Sequence, residues 1–511
     1  MPTARTSALL VLGIFAIVVS TALADDCHSL TSLTRPDLTI TLAESVPAGA
    51  FKPPASGMPG PPLDFSNLPA FCRVAATAKP TSDSEIKFEV WMPASNWNGK
   101  FEGTGNGAWL GAIVYFALAD GLRRGYAVAN TDTGHVSGGM DASWALGHPE
   151  KVVDFGYRAV HLMTVEGKAI VNAFYKKNPT FSYWNGCSSG GKQGLKEAQQ
   201  FPEDYNGIVA GAPANYWTHL LAATVWVGLQ ALKDPASAIP REKFALIHKA
   251  AIEACDSIDG VKDGLIDDPR KCHFDPQVLQ CKGADAPDCL TAAQVETARK
   301  AYGPSTTPHG MKIFPGLEPG SELGWGFMMG GPEPARIGSD YYTYILHKDP
   351  HWNPRTMDFD KDVPEADALD HGTINAIDPD LRKFKAHGGK LIMYHGWADS
   401  LIMPENSVSY YESVLKTIGG PAQTEDFFRL FMAPGMGHCF GGEGPSGFDA
   451  LQSLERWVED GKAPDSIVAS HMAGPGKVDR TRPLCVYPRV AKYKGEGSID
   501  QAENFSCSMP N

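Results

Sequence analysis

The chain is short of positive charge: 45 Lys and Arg stand against 58 Asp and Glu, a formal net charge of −13 with a pI near 5.6. A nucleic-acid or anionic-membrane partner calls for a basic face, so this balance argues against both and leaves small neutral or weakly acidic substrates open. Long apolar runs are missing as well. The run from Ala8 to Val19, preceded by Arg5, is shorter than the ~20 residues of a membrane span, and Ala22-Leu23-Ala24 behind it supplies the small residues of a cleavage site. Residues 1–24 therefore read as an export signal, with a mature, secreted or periplasmic protein starting near Asp25 and no membrane attachment after cleavage. No internal repeat or low-complexity tract is apparent. The glycine-rich stretch from Gly103 to Gly111 fits neither G-x-x-x-x-G-K-[ST] nor a full G-x-G-x-x-G, which argues against a phosphate loop.

What is present points to a folded, exported enzyme. At 511 residues, with 43% hydrophobic and 10% aromatic content, the chain exceeds one ordinary core and suggests one large domain plus an insertion. All ten cysteines (Cys27, Cys72, Cys187, Cys255, Cys272, Cys281, Cys289, Cys439, Cys485, Cys507) lie beyond the expected cleavage point. An even number in an exported chain suggests five disulfides, whose connectivity ten positions alone do not give.

Two blocks alternate strand-like and helix-like segments, which predicts an α/β fold with a mostly parallel sheet. In the first, Ile86, Phe88 and Val90 alternate with charged residues as an antiparallel edge strand would. Tyr126-Ala127-Val128-Ala129 reads as a buried strand, and 153–174 as an amphipathic helix with Tyr157, Val160 and Val165 on one face. Phe181-Ser182-Tyr183-Trp184 and Gly207-Ile208-Val209-Ala210 follow as strands. The rhythm is lost over 217–388, which carries four cysteines, many prolines and the run 324–331, and is read as an inserted lid domain. It resumes with Leu391-Ile392-Met393-Tyr394 and with 427–432, so that 25–216 and 389–511 form the catalytic domain.

Gly186-Cys187-Ser188-Ser189-Gly190, between a strand-like and a helix-like run, fits the G-x-S-x-G elbow, in which flanking glycines let a serine sit on a sharp turn with its hydroxyl exposed. The order Ser, acid, His then points to Asp399 after the 391–394 strand and His438 after the 427–432 strand. A serine hydroxyl is a poor nucleophile at neutral pH, so His438 must take its proton and Asp399 must hold the imidazole's tautomer and stabilise its cation. Cys187 directly precedes the serine and Cys439 directly follows the histidine, so a disulfide between them would tie nucleophile to base. His395 is the rival base or a hydrogen-bonded turn residue, and His135 reads as scaffold or pocket lining. The oxyanion needs donors: the backbone N–H of Ser189 and one from the loop around Gly105 and Gly107, with Gly107 favoured. In the insertion, Asp256, Asp259, Asp263 and Asp267 are interleaved with glycines as a hard cation such as Ca²⁺ requires, without the order of an EF-hand.

Together these residues resemble the tannase and feruloyl esterase family, which includes a bacterial hydrolase of mono(2-hydroxyethyl) terephthalate. The resemblance is carried by 186–191, His438-Cys439, Leu68-Pro69-Ala70-Phe71-Cys72-Arg73-Val74, Trp97-Asn98-Gly99-Lys100, Gly105-Asn106-Gly107 and 131–135, and it covers nearly all of the mature chain. It implies an α/β-hydrolase fold with a lid between strand and acid, and structural Ca²⁺ bound by the side chains of Asp256, Asp259 and Asp263 and the carbonyls of Val261 and Leu265. It also implies the pairs 187–439, 255–272, 281–289, 485–507 and 27–72. Ala108 departs from the second glycine many relatives carry after Gly107. The activity implied is hydrolysis of small aromatic esters, feruloyl (hydroxycinnamoyl) ahead of galloyl or mono(2-hydroxyethyl) terephthalate. Trp325, Phe327, Tyr341 and Tyr342 are either ring contacts or lid core. A ligand-binding protein on an inactive hydrolase scaffold is the non-enzyme alternative, against which the intact Ser188, Asp399 and His438 argue.

Overall fold

Apolar runs bounded by Gly, Pro and Asn become the strands of a nine-stranded sheet in the computed structural model, which describes residues 27–54 and 64–510. The leader expected over 1–24 lies outside the described residues. In chain order the strands are β1 (Leu38–Val46), β2 (Phe71–Ala78), β3 (Ile86–Pro93), β4 (Lys100–Thr104), β5 (Ala127–Thr131), β6 (Phe181–Cys187), β7 (Gly207–Gly211), β8 (Lys390–Gly396) and β9 (Phe428–Ala433). Their order across the sheet is β1-β2-β3-β5-β4-β6-β7-β8-β9. The pairs β1/β2, β2/β3 and β3/β5 are antiparallel, and every later pair is parallel. β5 and β7 are buried along their whole length, as strands covered on both faces must be.

The longer helices are α1 (Tyr115–Arg123), α2 (Ala159–Tyr175), α3 (Ser189–Gln200), α4 (Trp217–Ala231), α5 (Arg241–Cys255), α6 (Ala292–Tyr302), α7 (Phe359–Asp370), α8 (Glu405–Ile418) and α9 (Ala450–Asp460). One face of the sheet packs under α2, α3 and α8 through Val160, Met163, Ile170, Leu195 and Val414, and the other under α1 and α9 through Leu118, Leu122, Leu454 and Trp457.

Two local expectations change. β3 is antiparallel but interior, flanked by β2 and β5. Its alternation resembles an edge because Glu89 is charged, yet Glu89 is buried: Arg73 donates to it at 2.6 and 2.9 Å, and Trp91 Nε1–H at 2.8 Å. On α2 the buried stripe is Val160, Met163, Thr164, Gly167, Ile170 and Val171, while Tyr157 and Val165 are only half-buried. A wide π-type turn over Asp154–Arg158 precedes the helix and shifts the phase of the pattern.

Between β7 and β8 the chain leaves the sheet, and α4 to α7 build a second apolar cluster around Trp217, Leu221, Val225, Phe244 and Trp325. Trp109, Phe155, Ile402 and Met403, from outside 217–388, join it. Trp325, Tyr341 and Tyr342 are buried in this cluster, whereas Phe327 is 40% exposed. His248 on α5 ties the cluster to the loop after β9, with Nδ1 2.9 Å from Glu322 Oε2 and Nε2 2.7 Å from Glu443 Oε2. Burial opposes its charge, but the two carboxylates push its pKa up to about 9. A raised pKa means the link stabilises the fold fully below the ordinary histidine value of about 6.5 and is lost as pH rises through 9. Glu443 is half-exposed, which discounts the effect. The thermal midpoint should therefore fall by about 1–2 °C more between pH 6.5 and 9.5 in the wild type than in His248→Gln, read by scanning calorimetry; parallel curves would show that the link adds nothing.

Candidate functional site

β6 runs into α3 through Ser188, whose backbone takes φ 65° and ψ −123°, a strained conformation that lifts a side chain off a sharp turn. A Cβ on Gly186 would lie 2.6 Å from the carbonyl of Gly190, and one on Gly105 would overlap Gly190 Cα. Those glycines let the elbow close and let the loop after β4 lie against it. Ser188 N–H donates to Gly211 O at 2.9 Å, and Ser188 C=O accepts from Lys192 N–H at 3.0 Å and Ala214 N–H at 3.1 Å. The turn is thus pinned to the end of β7.

Asp399 lies in the loop after β8 and is fully buried. Its Oδ1 accepts from Leu401 N–H at 2.8 Å and Ile402 N–H at 3.0 Å, and its Oδ2 accepts from His438 Nδ1–H at 2.8 Å and His395 Nε2–H at 3.0 Å. Burial alone would raise this carboxyl, but the His438 charge and hydrogen bonds from both imidazoles hold it well below the usual carboxylate range. His438, in the loop after β9, has a side chain 21% exposed. Burial lowers its pKa, and Asp399 more than reverses that and raises it. With Nδ1–H committed to Asp399, Nε2 is the nitrogen left to take a proton. The Cys187–Cys439 disulfide joins the residue before Ser188 to the residue after His438, with their Cα atoms 6.0 Å apart.

His395 is no rival base. It is buried with both ring nitrogens occupied, Nδ1 by Ser407 Oγ at 2.7 Å and Nε2 by Asp399 and by Ile402 O at 3.0 Å. His135 is scaffold: Nε2–H donates to Trp109 O at 2.8 Å, the ring stacks on Trp144 at 3.7 Å, and burial lowers its pKa to about 4.

In the loop after β4, Gly105 N–H donates to Asn185 O at 3.1 Å and Asn106 N–H to Gln193 Oε1 at 3.0 Å. Both are committed, which leaves the N–H groups of Gly107 and Ala108 as that loop's candidate donors. Gly107 O accepts from Leu110 N–H at 2.9 Å, closing a tight turn in which Ala108 takes φ 46°, a left-handed position. Ser189 Oγ–H donates to Ala108 O at 2.8 Å and moors the turn to the first residue of α3. The role of Gln193 was not read from the sequence; its position one turn after Ser189 on α3 is the signal that points to it.

The five disulfides join Cys27–Cys72, Cys187–Cys439, Cys255–Cys272, Cys281–Cys289 and Cys485–Cys507, the pairs the family resemblance implies. Cys255–Cys272 closes the acidic segment after α5. There Asp256 Oδ1 accepts from Asp263 N–H and Gly264 N–H, each at 2.9 Å, and Asp259 Oδ1 from Val261 N–H at 2.9 Å. Asp263 Oδ1 accepts from Leu265 N–H at 3.2 Å, and Asp263 also pairs with Arg482. Burial raises the Asp259 carboxyl, and neighbouring Asp263 and Asp256 add to the rise. Asp259, Asp263 and Asp267 line one small cavity with Leu265. Arg482 lines the same cavity and offsets part of this charge, and the crowded carboxylates on their Asx turns supply oxygen donors of the kind a hard cation takes.

The sequence matches the model of the family described as tannase and feruloyl esterase over residues 72–508. It is 39% identical to an uncharacterised esterase of Xanthomonas campestris pv. campestris, over 97% of this chain and 93% of that one. It is 34% identical to the probable feruloyl esterase B-2 of Aspergillus terreus, over 98% of each chain. The solved structure of feruloyl esterase B from Aspergillus oryzae superposes with a TM-score of 0.88 at 31% identity, over 95% of this chain and 100% of that one.

The elbow geometry separates two glycines two residues apart. Gly105→Ala should lower stability by about 2–3 kcal/mol, because backbone must move to admit the methyl group. Gly107→Ala, whose added Cβ meets nothing within 4 Å, should stay within about 0.5 kcal/mol of wild type. Equal losses in urea unfolding would contradict the packing described.

Proposed function

The chain belongs to the tannase and feruloyl esterase family and is a carboxylic ester hydrolase, and we propose that it cleaves esters of aromatic acids through an acyl-enzyme on Ser188. In this reading His438 Nε2 takes the Ser188 proton as Oγ attacks the ester carbonyl, and Asp399 holds Nδ1–H and stabilises the imidazolium. The backbone N–H groups of Ser189 and Gly107 meet the oxyanion. The alcohol leaves with the proton held on His438, and a water activated by the same nitrogen releases the acid. The observation that carries the reading is the contact of His438 with buried Asp399, in a loop covalently joined to the residue before Ser188.

Feruloyl (hydroxycinnamoyl) esters are the favoured class because the relatives named above as feruloyl esterases match over nearly their full lengths. Galloyl esters and mono(2-hydroxyethyl) terephthalate are the sibling activities. Residues 217–388 would serve as the lid over the acyl group, and Phe327 is the member of the aromatic set with an exposed ring. Export fits five disulfides and, among the described residues, no free cysteine and no helix long and apolar enough to cross a membrane. Structural Ca²⁺ would be held by Asp256, Asp259, Asp263 and the carbonyls of Val261 and Leu265. It would add to the positive charge that Arg482 brings to Asp263, in a structural role.

Initial rates on methyl ferulate, methyl gallate and mono(2-hydroxyethyl) terephthalate, run beside Ser188→Ala, test the reaction and the substrate class together. The expected result is a ferulate preference that the substitution lowers by ~10⁴-fold or more. A gallate or terephthalate preference moves the activity to a sibling, and turnover that survives Ser188→Ala removes the mechanism. For the metal, EDTA should lower the thermal midpoint of the wild type and leave that of Asp259→Asn unchanged; the same midpoint with and without chelator in the wild type would dismiss the ion.

A further inference from the structure

Asp399 is met by more than a triad needs. Its Oδ2 accepts two imidazole N–H groups, from His438 at 2.8 Å and from His395 at 3.0 Å. The tautomer of His395 follows from its partners. Ile402 C=O, 3.0 Å from Nε2, can only accept, as can the carboxylate, so Nε2 carries the hydrogen and Nδ1 accepts from Ser407 Oγ–H. Ser407 is fully buried on α8, so the ring is held at both ends.

We propose that His395 is a positioning residue for the hydrolytic site: it holds the Asp399 carboxylate from behind and shares the oxygen that His438 uses, which limits how strongly Asp399 stabilises protonated His438. The inference rests on the reading of Ser188, His438 and Asp399 as the triad. Each further donor on a carboxylate oxygen draws off charge, so the bond to His438 is weaker than it would be alone, and His438 stays unprotonated, and able to accept from Ser188, to a lower pH. The titratable groups that act most strongly on Asp399 are His438 and His395, and the one that acts most strongly on His438 is Asp399.

The test is the pH dependence of Ser188 labelling by a fluorophosphonate, a reaction that needs the activated serine but no particular ester. In His395→Leu the acid limb should move up by ~0.5–1 pH unit, a loss of about 3–10-fold in labelling rate at a fixed pH below it. His395→Gln, whose amide N–H reaches toward the place of Nε2, should keep the wild-type limb. An unmoved limb in His395→Leu, or an equal shift in His395→Gln, overturns the inference. If His395→Leu does not fold, Ser407→Ala takes its place: freeing Nδ1 should move the limb upward, and an unchanged limb counts against the proposal. Failure of the wild type to label at Ser188 would overturn the triad reading and this role with it.

Discussion

A carboxylate sealed from water has to be met by hydrogen-bond donors inside the protein, and the neighbourhood of Asp399 is shaped by that requirement. An unpaired buried carboxylate would cost several kcal/mol or give up its charge. Here four N–H groups converge on it: Leu401 and Ile402 from its own loop, His395 from β8 and His438 from the loop after β9. Ser407 on α8 in turn holds His395. Satisfying one charge therefore fixes two strand ends, two loops and a helix relative to one another, and leaves His438 with its free nitrogen directed away from the acid.

That unit still has to find Ser188, which lies at the end of β6, two strands from β8 across the sheet. The parallel sheet does part of this, because the C-terminal ends of β6, β8 and β9 fall on one edge. The rest falls to the Cys187–Cys439 bond, which spans a sequence separation of 252 residues and fixes the elbow against the histidine loop. The helical segment between β7 and β8 is anchored to the same region. His248 meets Glu443 five residues beyond His438, and the acidic segment after α5 reaches the strand Lys477–Cys485 through the pair of Asp263 with Arg482.

Much of the architecture is legible in the sequence because it is local. Strand-like runs followed by glycine-rich or polar loops mark β6 to β9, and the candidate acid and base follow the last two of these because an α/β sheet presents its site at strand C-termini. Expectations failed, or alternatives stayed open, where contacts made only in the fold decide. Glu89 makes β3 look like an edge strand until Arg73 and Trp91 bury its charge. Trp325, Tyr341 and Tyr342 carry the same apolar signal whether they line a pocket or fill a core, and here they fill a core. His395 reads as a turn histidine in one dimension, and its place behind Asp399 exists only once residues 395, 399, 402 and 407 fold around one another.

The sequence by itself determined the fold class, the elbow at Ser188, the identities of Asp399 and His438 as candidates, and the presence of enough cysteine for five bridges. Each of these depends on residue type and short spacing, which no distant contact alters. Tertiary structure decided which cysteines meet, which loop N–H groups remain uncommitted near Ser188, which aromatics are buried and what shares the Asp399 carboxylate. Those outcomes depend on contacts made only in the fold, from His395 beside Asp399, four positions away, to Cys187 beside Cys439, 252 positions away, and close packing sets them only when the whole chain is in place.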